Sequence, residues 1–317
     1  MKIRLFILCI FFLFGCTKKN ELKTPYRENN NIYFWYYPQT LETNSKIIKK
    51  LNKKVGRLPE ESNSYNWTSY NYYLNDNMSN YMWYIDIDLD NDNKYDYRGV
   101  YFNKYRPHYT NLNGEEYYSI QSHNGYYINN IYWFKYEIIK WDILDTNNNK
   151  LMIISSISLD SQDYYPSTSM LEFNHNDGLG YANNYELSNI RKFINNDFYY
   201  TAFSNLEKEL IEYTTINNKF NNDRFDSNDT FDKVFLLSQD EILEYYNDSN
   251  DRITGGSDYA KAQGLEFVYG NNSFYSLRSP YSSNPNYVLL VNLKGLIIHT
   301  EANSTFMGVR PVMWINM

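Results

Sequence analysis

Five aspartates lie at alternate or near-alternate positions in one stretch, "WYIDIDLDNDNKYDYRG" (Trp83–Gly99). Four of them follow the spacing D-x-D-x-D-x-x-x-D: Asp88, Asp90, Asp92 and Asp96. This spacing matches the first part of several calcium loops, in which carboxylate oxygens converge on one ion. The sequence departs from an EF-hand loop, because Asn93 replaces the glycine and Gly99 replaces the bidentate glutamate. One interpretation of the stretch is therefore a calcium site.

A second interpretation of the same stretch is a β-hairpin with an acidic outer face. Apolar and polar residues alternate from Trp83 to Asp90, as in a half-buried strand, and "YDYRGVYF" supplies a partner strand after the turn "NDNK". Side chains at positions i and i+2 of a strand lie about 6–7 Å apart. Three carboxylates on one strand are then too far apart to share an ion. The pattern favours the hairpin, although its tip, Asp90 to Asp96, could still hold calcium.

Other groups that could do chemistry are few in this sequence. The histidines, none of which is spaced as a metal pair, are His108, His123, His175 and His299. The sequence has no nucleophile elbow, phosphate-binding loop or dinucleotide fingerprint. Its cysteines are Cys9 and Cys16, which excludes cysteine catalysis beyond residue 16. We therefore expect no enzyme activity, no catalytic residues, and no cofactor apart from the calcium that the aspartates could bind.

The first residues predict an export signal and a lipid anchor. Lys2 and Arg4 precede an apolar run, Leu5–Phe14, that is shorter than the roughly 20 residues a spanning helix needs. Gly15 and Cys16 then resemble the lipobox of bacterial lipoproteins, whose cysteine receives acyl chains such as palmitate. The predicted organisation is a signal peptide (1–15), a lipidated cysteine with a flexible tether (16–31) and one domain (32–317). The lipid would hold the protein in a bacterial envelope membrane, facing the periplasm or the cell exterior.

Composition excludes two classes of protein. The formal net charge is −7, and 19% of the residues are aromatic, including 35 tyrosines. We expect no nucleic-acid partner for an acidic chain, and this aromatic content is too high for a disordered polymer. The expected partners are therefore the lipid bilayer, through Cys16, and an extracellular protein or glycan.

Local patterns predict helices and short strands that are interspersed along the chain. Helices are expected after capping residues: Asn44 or Ser45, Ser188, Ser204 with Glu207, and Ser238 with Glu241. Strands are expected over residues 131–144, 150–159, 233–238 and 308–317, with a hairpin over 286–300. This mixture predicts the α+β class rather than a doubly wound parallel sheet.

A series of motifs in one order resembles a family of bacterial domains of unknown function that are often found in secreted proteins and lipoproteins. They include "YRGVYFNKYRP", "YWFKYEIIKWDIL", "DKVFLLSQDEI", "YSLRSP" and "GVRPVMW". The resemblance extends from Tyr33 to Met317. It implies a plain hairpin at Trp83–Phe102, in agreement with the second interpretation of the aspartates.

The C-terminal part is similar, more distantly, to C-type-lectin-like domains and to the formylglycine-generating-enzyme fold. The similarity rests on the two central helices, the "LRSP" segment and the final "GVRPV" strand. It implies a C-type-lectin-like core of short antiparallel strands with two or three helices, elaborated by an N-terminal helix and a hairpin. It implies loops that bind ligands but no catalysis, because those enzymes depend on cysteines.

Four residues of this part are candidate ligand contacts: Tyr275, Arg278, Arg310 and Trp314. Each arginine could contact a ligand or, alternatively, tie loops together through its guanidinium donors. The two aromatic residues could stack on a sugar or lie in the core. The hypothesis is a non-catalytic binding module for a protein or a glycan. The alternatives are a structural envelope protein with no small ligand, and calcium-dependent binding through Asp88–Asp96.

Overall fold

Antiparallel β-sheets provide most of the regular structure in the computed structural model of the chain. The structure describes residues 25–60, 63, 65–70, 82–108, 119–165, 172–175, 178–220, 225, 227–268 and 270–317. The first strands are β1 (Tyr26–Glu28), β2 (Asn31–Leu41), β3 (Thr68–Ser69), β4 (Met82–Ile87), β5 (Tyr97–Phe102), β6 (Ile131–Asn147), β7 (Lys150–Ser155), β8 (Asp160–Ser161), β9 (Glu172–His175) and β10 (Gly178–Tyr181).

The remaining strands and the helices are all short. The strands are β11 (Thr214–Ile216), β12 (Thr230–Asp232), β13 (Thr254–Gly255), β14 (Asn272–Ser273), β15 (Tyr275–Pro280), β16 (Tyr287–Val291), β17 (Ile297–Glu301), β18 (Gly308–Val309) and β19 (Val312–Asn316). The α-helices are α1 (Ser45–Lys54), α2 (Ile120–His123), α3 (Asn189–Phe193), α4 (Tyr199–Ala202), α5 (Gln239–Tyr245) and α6 (Asp258–Gln263). A π turn (Ile194–Phe198) joins α3 to α4, and 3-10 turns form at Glu207–Leu210 and Asn250–Arg252.

The larger sheet is built around the two longest strands, β2 and β6. Its order is β1-β2-β6-β5-β4-β3, with β7 paired to β6 and β19 paired to β7. The register of β2 and β6 shifts between Phe34 and Tyr36, and Trp35 has a φ of +63°. This bulge buries Phe34 and Trp35 together, although they are consecutive in the strand. Trp35 then packs edge-on against Trp141 of β6, with ring centroids 5.6 Å apart, in the main hydrophobic core.

The smaller sheet has five strands in the order β17-β16-β15-β18-β8. The chain passes from one sheet to the other twice, between β7 and β8 and between β18 and β19. Arg310 and Pro311 form the second crossing. The Nε of Arg310 donates a hydrogen bond of 2.9 Å to the carbonyl oxygen of Ser155, the last residue of β7. One buried side chain therefore ties the two crossings together.

The predicted α+β fold with a C-type-lectin-like core is wrong, because antiparallel sheets dominate and the helices are few and short. The helix expected after Ser188 is divided into α3, the π turn and α4. Within it the side chain of Asn195 bonds to both the carbonyl and the amide of Val234. The helix expected after Ser204 stops at Leu210, and the amide of Glu212 then bonds to a carbonyl of β19. Tertiary pairing overrides helix propensity at both places.

Several local predictions are confirmed. Asn44 caps α1 by accepting from the amide of Lys46, and Ser238 and Glu241 form the predicted capping box of α5. The hairpin expected over residues 286–300 is β16 and β17. The strand expected over residues 233–238 is instead an irregular buried segment with a single bridge, from Phe235 to Val312.

The N-terminal predictions fall mostly outside the described residues. The predicted signal peptide and Cys16 lie there, but the end of the predicted tether does not. β1 falls within the tether and pairs with β2, with the rings of Tyr26 and Tyr33 stacked 4.9 Å apart. Ordered structure therefore begins before residue 32. Among the described residues, no helix has the length and apolar character that crossing a bilayer requires.

Candidate functional site

The aspartate stretch folds as a β-hairpin, which confirms the second interpretation of its strands. β4 pairs antiparallel with β5, and Asp86 lies opposite Arg98. The carboxylate of Asp86 accepts from Nε and Nη2 of Arg98 at 2.8 and 2.7 Å. The guanidinium of Arg98 is buried and lies 3.9 Å from the ring centroid of Tyr84. The expected acidic outer face of β4 is therefore partly covered and neutralised.

The other aspartates lie in the turn, beyond the end of β4. The carboxylates of Asp88, Asp90 and Asp96 have oxygens within 4.8 Å of one another. They converge because the backbone bends after Ile87, with positive φ at Asn91 (+63°) and Asn93 (+69°). The separation of carboxylates that is expected along an extended strand does not apply in this turn.

Backbone donors already surround these turn carboxylates. Asp88 accepts from the amides of Asn91 and Asn93 at 2.7 and 2.8 Å, and Asp96 accepts from the amide of Leu89 at 2.7 Å. Desolvation acts to raise the pKa of Asp88, but these donors outweigh it and hold the pKa below its ordinary value. The carboxylate of Asp92 points elsewhere, to the amide of Lys94.

A small cleft opens above the Asp86–Arg98 bridge, and we call it the tyrosine cleft. It has a volume of about 180 Å³ and is lined by Tyr84, Asp86, Tyr95, Arg98, Tyr136, Asn196, Asp197, Tyr200 and Thr201. The hairpin β4–β5 and strand β6 form its floor, and the π turn and α4 form one wall. Burial raises the pKa of Tyr136 well above its ordinary value; Arg98 opposes this shift and Asp86 adds to it. The phenol of Tyr136 therefore stays neutral.

A larger cleft lies on the smaller sheet, and we call it the strand cleft. It has a volume of about 510 Å³ and is lined by Phe220, Gln239, Asp240, Ser279, Pro280, Tyr281, Ser282, Leu289, Ile297, Ile298 and His299. The imidazole of His299 stacks on the ring of Tyr281, with centroids 4.0 Å apart and planes 11° from parallel. Asp240, in the first turn of α5, and the imidazole are both exposed. The cleft thus combines a flat aromatic surface with polar side chains at its rim.

None of the predicted ligand contacts lines this cleft. Tyr275, Arg278 and Arg310 are buried, and each bonds to the protein itself. The guanidinium of Arg278 pairs with Glu241 and donates to the carbonyl of Leu236 at 2.8 Å. The hydroxyl of Tyr275 donates to the carbonyl of Arg252 at 2.9 Å. Arg278 here, and Arg310 through its bond to Ser155, therefore hold segments of the chain together, as the alternative interpretation expects.

Trp314 takes a different place from the other three candidates. It lies on β19, is partly buried, and packs against the cluster of apolar residues that includes Tyr275 and Leu277. None of the residues lining either cleft was among the ligand contacts predicted from the sequence. The signal for the strand cleft was present in "SPYSS", a turn that contains a partly buried tyrosine, but the ring partner of this tyrosine, His299, is 18 positions away.

Comparison with known proteins adds a family but no activity. A family model with the description "Domain of unknown function (DUF6273)" matches residues 148–317. No curated protein and no solved structure matches the chain. The matched part contains the whole strand cleft and one wall of the tyrosine cleft, whereas the hairpin β4–β5 precedes it.

Proposed function

We infer the function of this chain from its own residues, because it belongs to a family described as a domain of unknown function, DUF6273. We propose that it is a bacterial lipoprotein, anchored through Cys16, whose domain is a non-catalytic extracytoplasmic binding module for a glycan. The family membership predicted from the sequence is confirmed at the level of a domain of unknown function. Lipid attachment is supported by the N-terminal sequence, and loss of lipid labelling in Cys16→Ala tests it.

The observation that supports glycan binding is the stacked pair of Tyr281 and His299 in the strand cleft. Flat rings give the apolar faces of sugars a contact surface, while carboxylates, amides and hydroxyls bond to sugar hydroxyls. Asp240, Gln239 and Ser282 supply such groups at the rim. A volume of about 510 Å³ is in the usual range for small-molecule sites.

A glycan screen followed by calorimetry tests this proposal. The purified protein is applied to bacterial and host glycans, and the affinity of any hit is then measured with Tyr281→Ala, His299→Ala and Asp240→Asn. Each substitution is expected to weaken binding by about tenfold, the effect of a contact worth roughly 1.4 kcal/mol. The matched control is Tyr213→Ala, which removes an exposed tyrosine outside the cleft.

The possible outcomes distinguish the proposed functions. Binding that survives all three cleft substitutions would place the glycan elsewhere and reject this site. A parallel screen applies the protein to extracellular proteins. A hit in that screen, with none among glycans, would favour a protein ligand in the same role. Failure of both screens would favour the alternative, a structural envelope protein without a small ligand.

Calcium-dependent binding at the turn stays a second prediction, and the convergence of Asp88, Asp90 and Asp96 favours it. Calcium at about 100 times its dissociation constant would add roughly 2.7 kcal/mol to the free energy of unfolding. Thermal melting in EDTA and then in calcium measures this, and Asp90→Asn is expected to abolish the shift. Asp240→Asn, an exposed aspartate elsewhere, is the control. An unchanged melting temperature would reject calcium binding at this turn.

A further inference from the structure

The tyrosine cleft has the composition of a site for a small organic cation. Four of its lining residues contribute phenol rings and two contribute carboxylates: Tyr84, Tyr95, Tyr136 and Tyr200, with Asp86 and Asp197. Aromatic faces attract cations, and groups of aromatic rings are the usual means by which proteins recognise quaternary ammonium groups. We propose that this cleft binds a small organic cation and that a methylated ammonium group is the part recognised.

The charges in the lining favour a cation over an anion. The one basic side chain among the lining residues is Arg98, and its donors are largely occupied. Nε and Nη2 bond to Asp86, Nη2 also reaches the hydroxyl of Thr201 at 3.4 Å, and Nη1 reaches the hydroxyl of Tyr259 at 3.3 Å. At most one of the five guanidinium N–H groups is left for an anion. Within the lining, Asp86 and Arg98 offset each other's charge, and Asp197 supplies a second carboxylate.

Internal contacts show that rings in this region hold cations, and Arg98 also lies 5.9 Å from the ring centroid of Tyr136. The guanidinium carbon of Arg98 lies 3.9 Å from the ring centroid of Tyr84. The Nζ of Lys208, a residue outside the lining, lies 4.4 Å from the ring centroid of Tyr200. A ligand would therefore contact Tyr200 only through the part of its ring that faces the cleft. Tyr95 and Tyr136, whose ring centroids are 6.0 Å apart, form the other side.

The size of the cleft limits what can enter it. Its volume of about 180 Å³ is below the range of about 300–1,000 Å³ that is usual for drug-sized ligands. A disaccharide is too large for this space, whereas a single ammonium headgroup with its methyl groups is of suitable size. The proposal is therefore independent of glycan binding in the strand cleft, which has different lining residues.

A pair of probes that differ only in charge tests the proposal. Choline chloride and its neutral analogue 3,3-dimethyl-1-butanol are titrated into the purified protein, and binding is followed by ligand-observed NMR. Choline is expected to bind saturably and the neutral alcohol at least several-fold more weakly, because the attraction to the rings and carboxylates requires the positive charge. Equal binding of the two probes, or no binding of choline, would overturn the proposal.

Substitutions at the rim locate the binding. Tyr95 is 57% exposed, so Tyr95→Ala should leave the fold intact while it weakens choline binding by about twofold to fivefold. Tyr95→Phe keeps the ring and should retain most of the affinity. Tyr127→Ala, at a position 54% exposed and outside the cleft, is the matched control. Equal losses in Tyr95→Ala and Tyr127→Ala would contradict the assignment to this cleft.

Discussion

Asp86 and Asp160 are both carboxylates withdrawn from water, but different partners hold them. Asp86 meets the guanidinium of Arg98 through two hydrogen bonds at the floor of the tyrosine cleft. Asp160, only 1% exposed, is held by neutral donors: the hydroxyls of Tyr70 and Tyr37, at 2.6 and 2.9 Å. It is buried in the interior and lines neither cleft.

The difference has a physical consequence for each carboxylate. Opposite charge offsets the cost of burying Asp86, so a charged bridge can line a cleft without leaving either charge unpaired. Neutral hydroxyls offset that cost less well. Burial raises the pKa of Asp160, although the bonds from Tyr70, Ser161 and Tyr37 act to lower it. The first arrangement suits a binding surface, and the second holds segments of the core in place.

Removal of Arg98 is expected to give the largest effect. Arg98→Ala leaves Asp86 without its partner and should lower the free energy of unfolding by about 3–5 kcal/mol, as for other broken buried pairs. Urea denaturation measures the change. The double variant Arg98→Met, Asp86→Leu removes both charges and should recover much of the loss. A loss below about 1 kcal/mol in Arg98→Ala would show that the bridge behaves as an exposed pair.

Loss of one donor to Asp160 is expected to cost less. Tyr70→Phe removes the 2.6 Å hydrogen bond to Asp160 and also the one that Gln162 donates to the same hydroxyl. It should lower the free energy of unfolding by about 1.5–3 kcal/mol, because the Asp160 acceptor is a carboxylate. Tyr126→Phe is the matched control, since its hydroxyl donates to the backbone carbonyl of Asp258 and its loss should cost about 0.5–1.5 kcal/mol. Equal losses would indicate that Asp160 is protonated in the folded protein at the pH of the measurement.

The pH dependence of stability provides the finest distinction. Because the pKa of Asp160 is raised, the folded state keeps its proton to a higher pH than the unfolded state does. The stabilisation that protonated Asp160 contributes is therefore fully present below the pKa of this group in the unfolded state. It is lost as the pH rises through the pKa of the group in the folded state. The free energy of unfolding of the protein, relative to Asp160→Asn, should fall across that window. Denaturation of both proteins over a pH series measures this difference in the free energy of unfolding. A difference that rises with pH would mean that folding lowers the pKa of Asp160.

Local signals in the sequence predicted local structure well. The alternation in β4 and the caps Asn44 and Ser238 depend on neighbouring residues, and the structure confirms them. The fold class was missed because distant pairing changes the outcome, as where Asn195 bonds to Val234 and divides a helix. Both clefts were missed for the same reason. Tyr84 and Tyr200 meet only after β4 and α4 have packed together.

The two crossings between the sheets make the folding of one sheet depend on the other. β19 cannot leave the larger sheet without pulling on β18 in the smaller one, and Arg310 fastens the end of β7 at the same point. We expect the sheets to unfold as one cooperative unit. Each cleft lies on a different sheet, so a ligand in either would stabilise both through the shared unfolding equilibrium, even without contact between the sites.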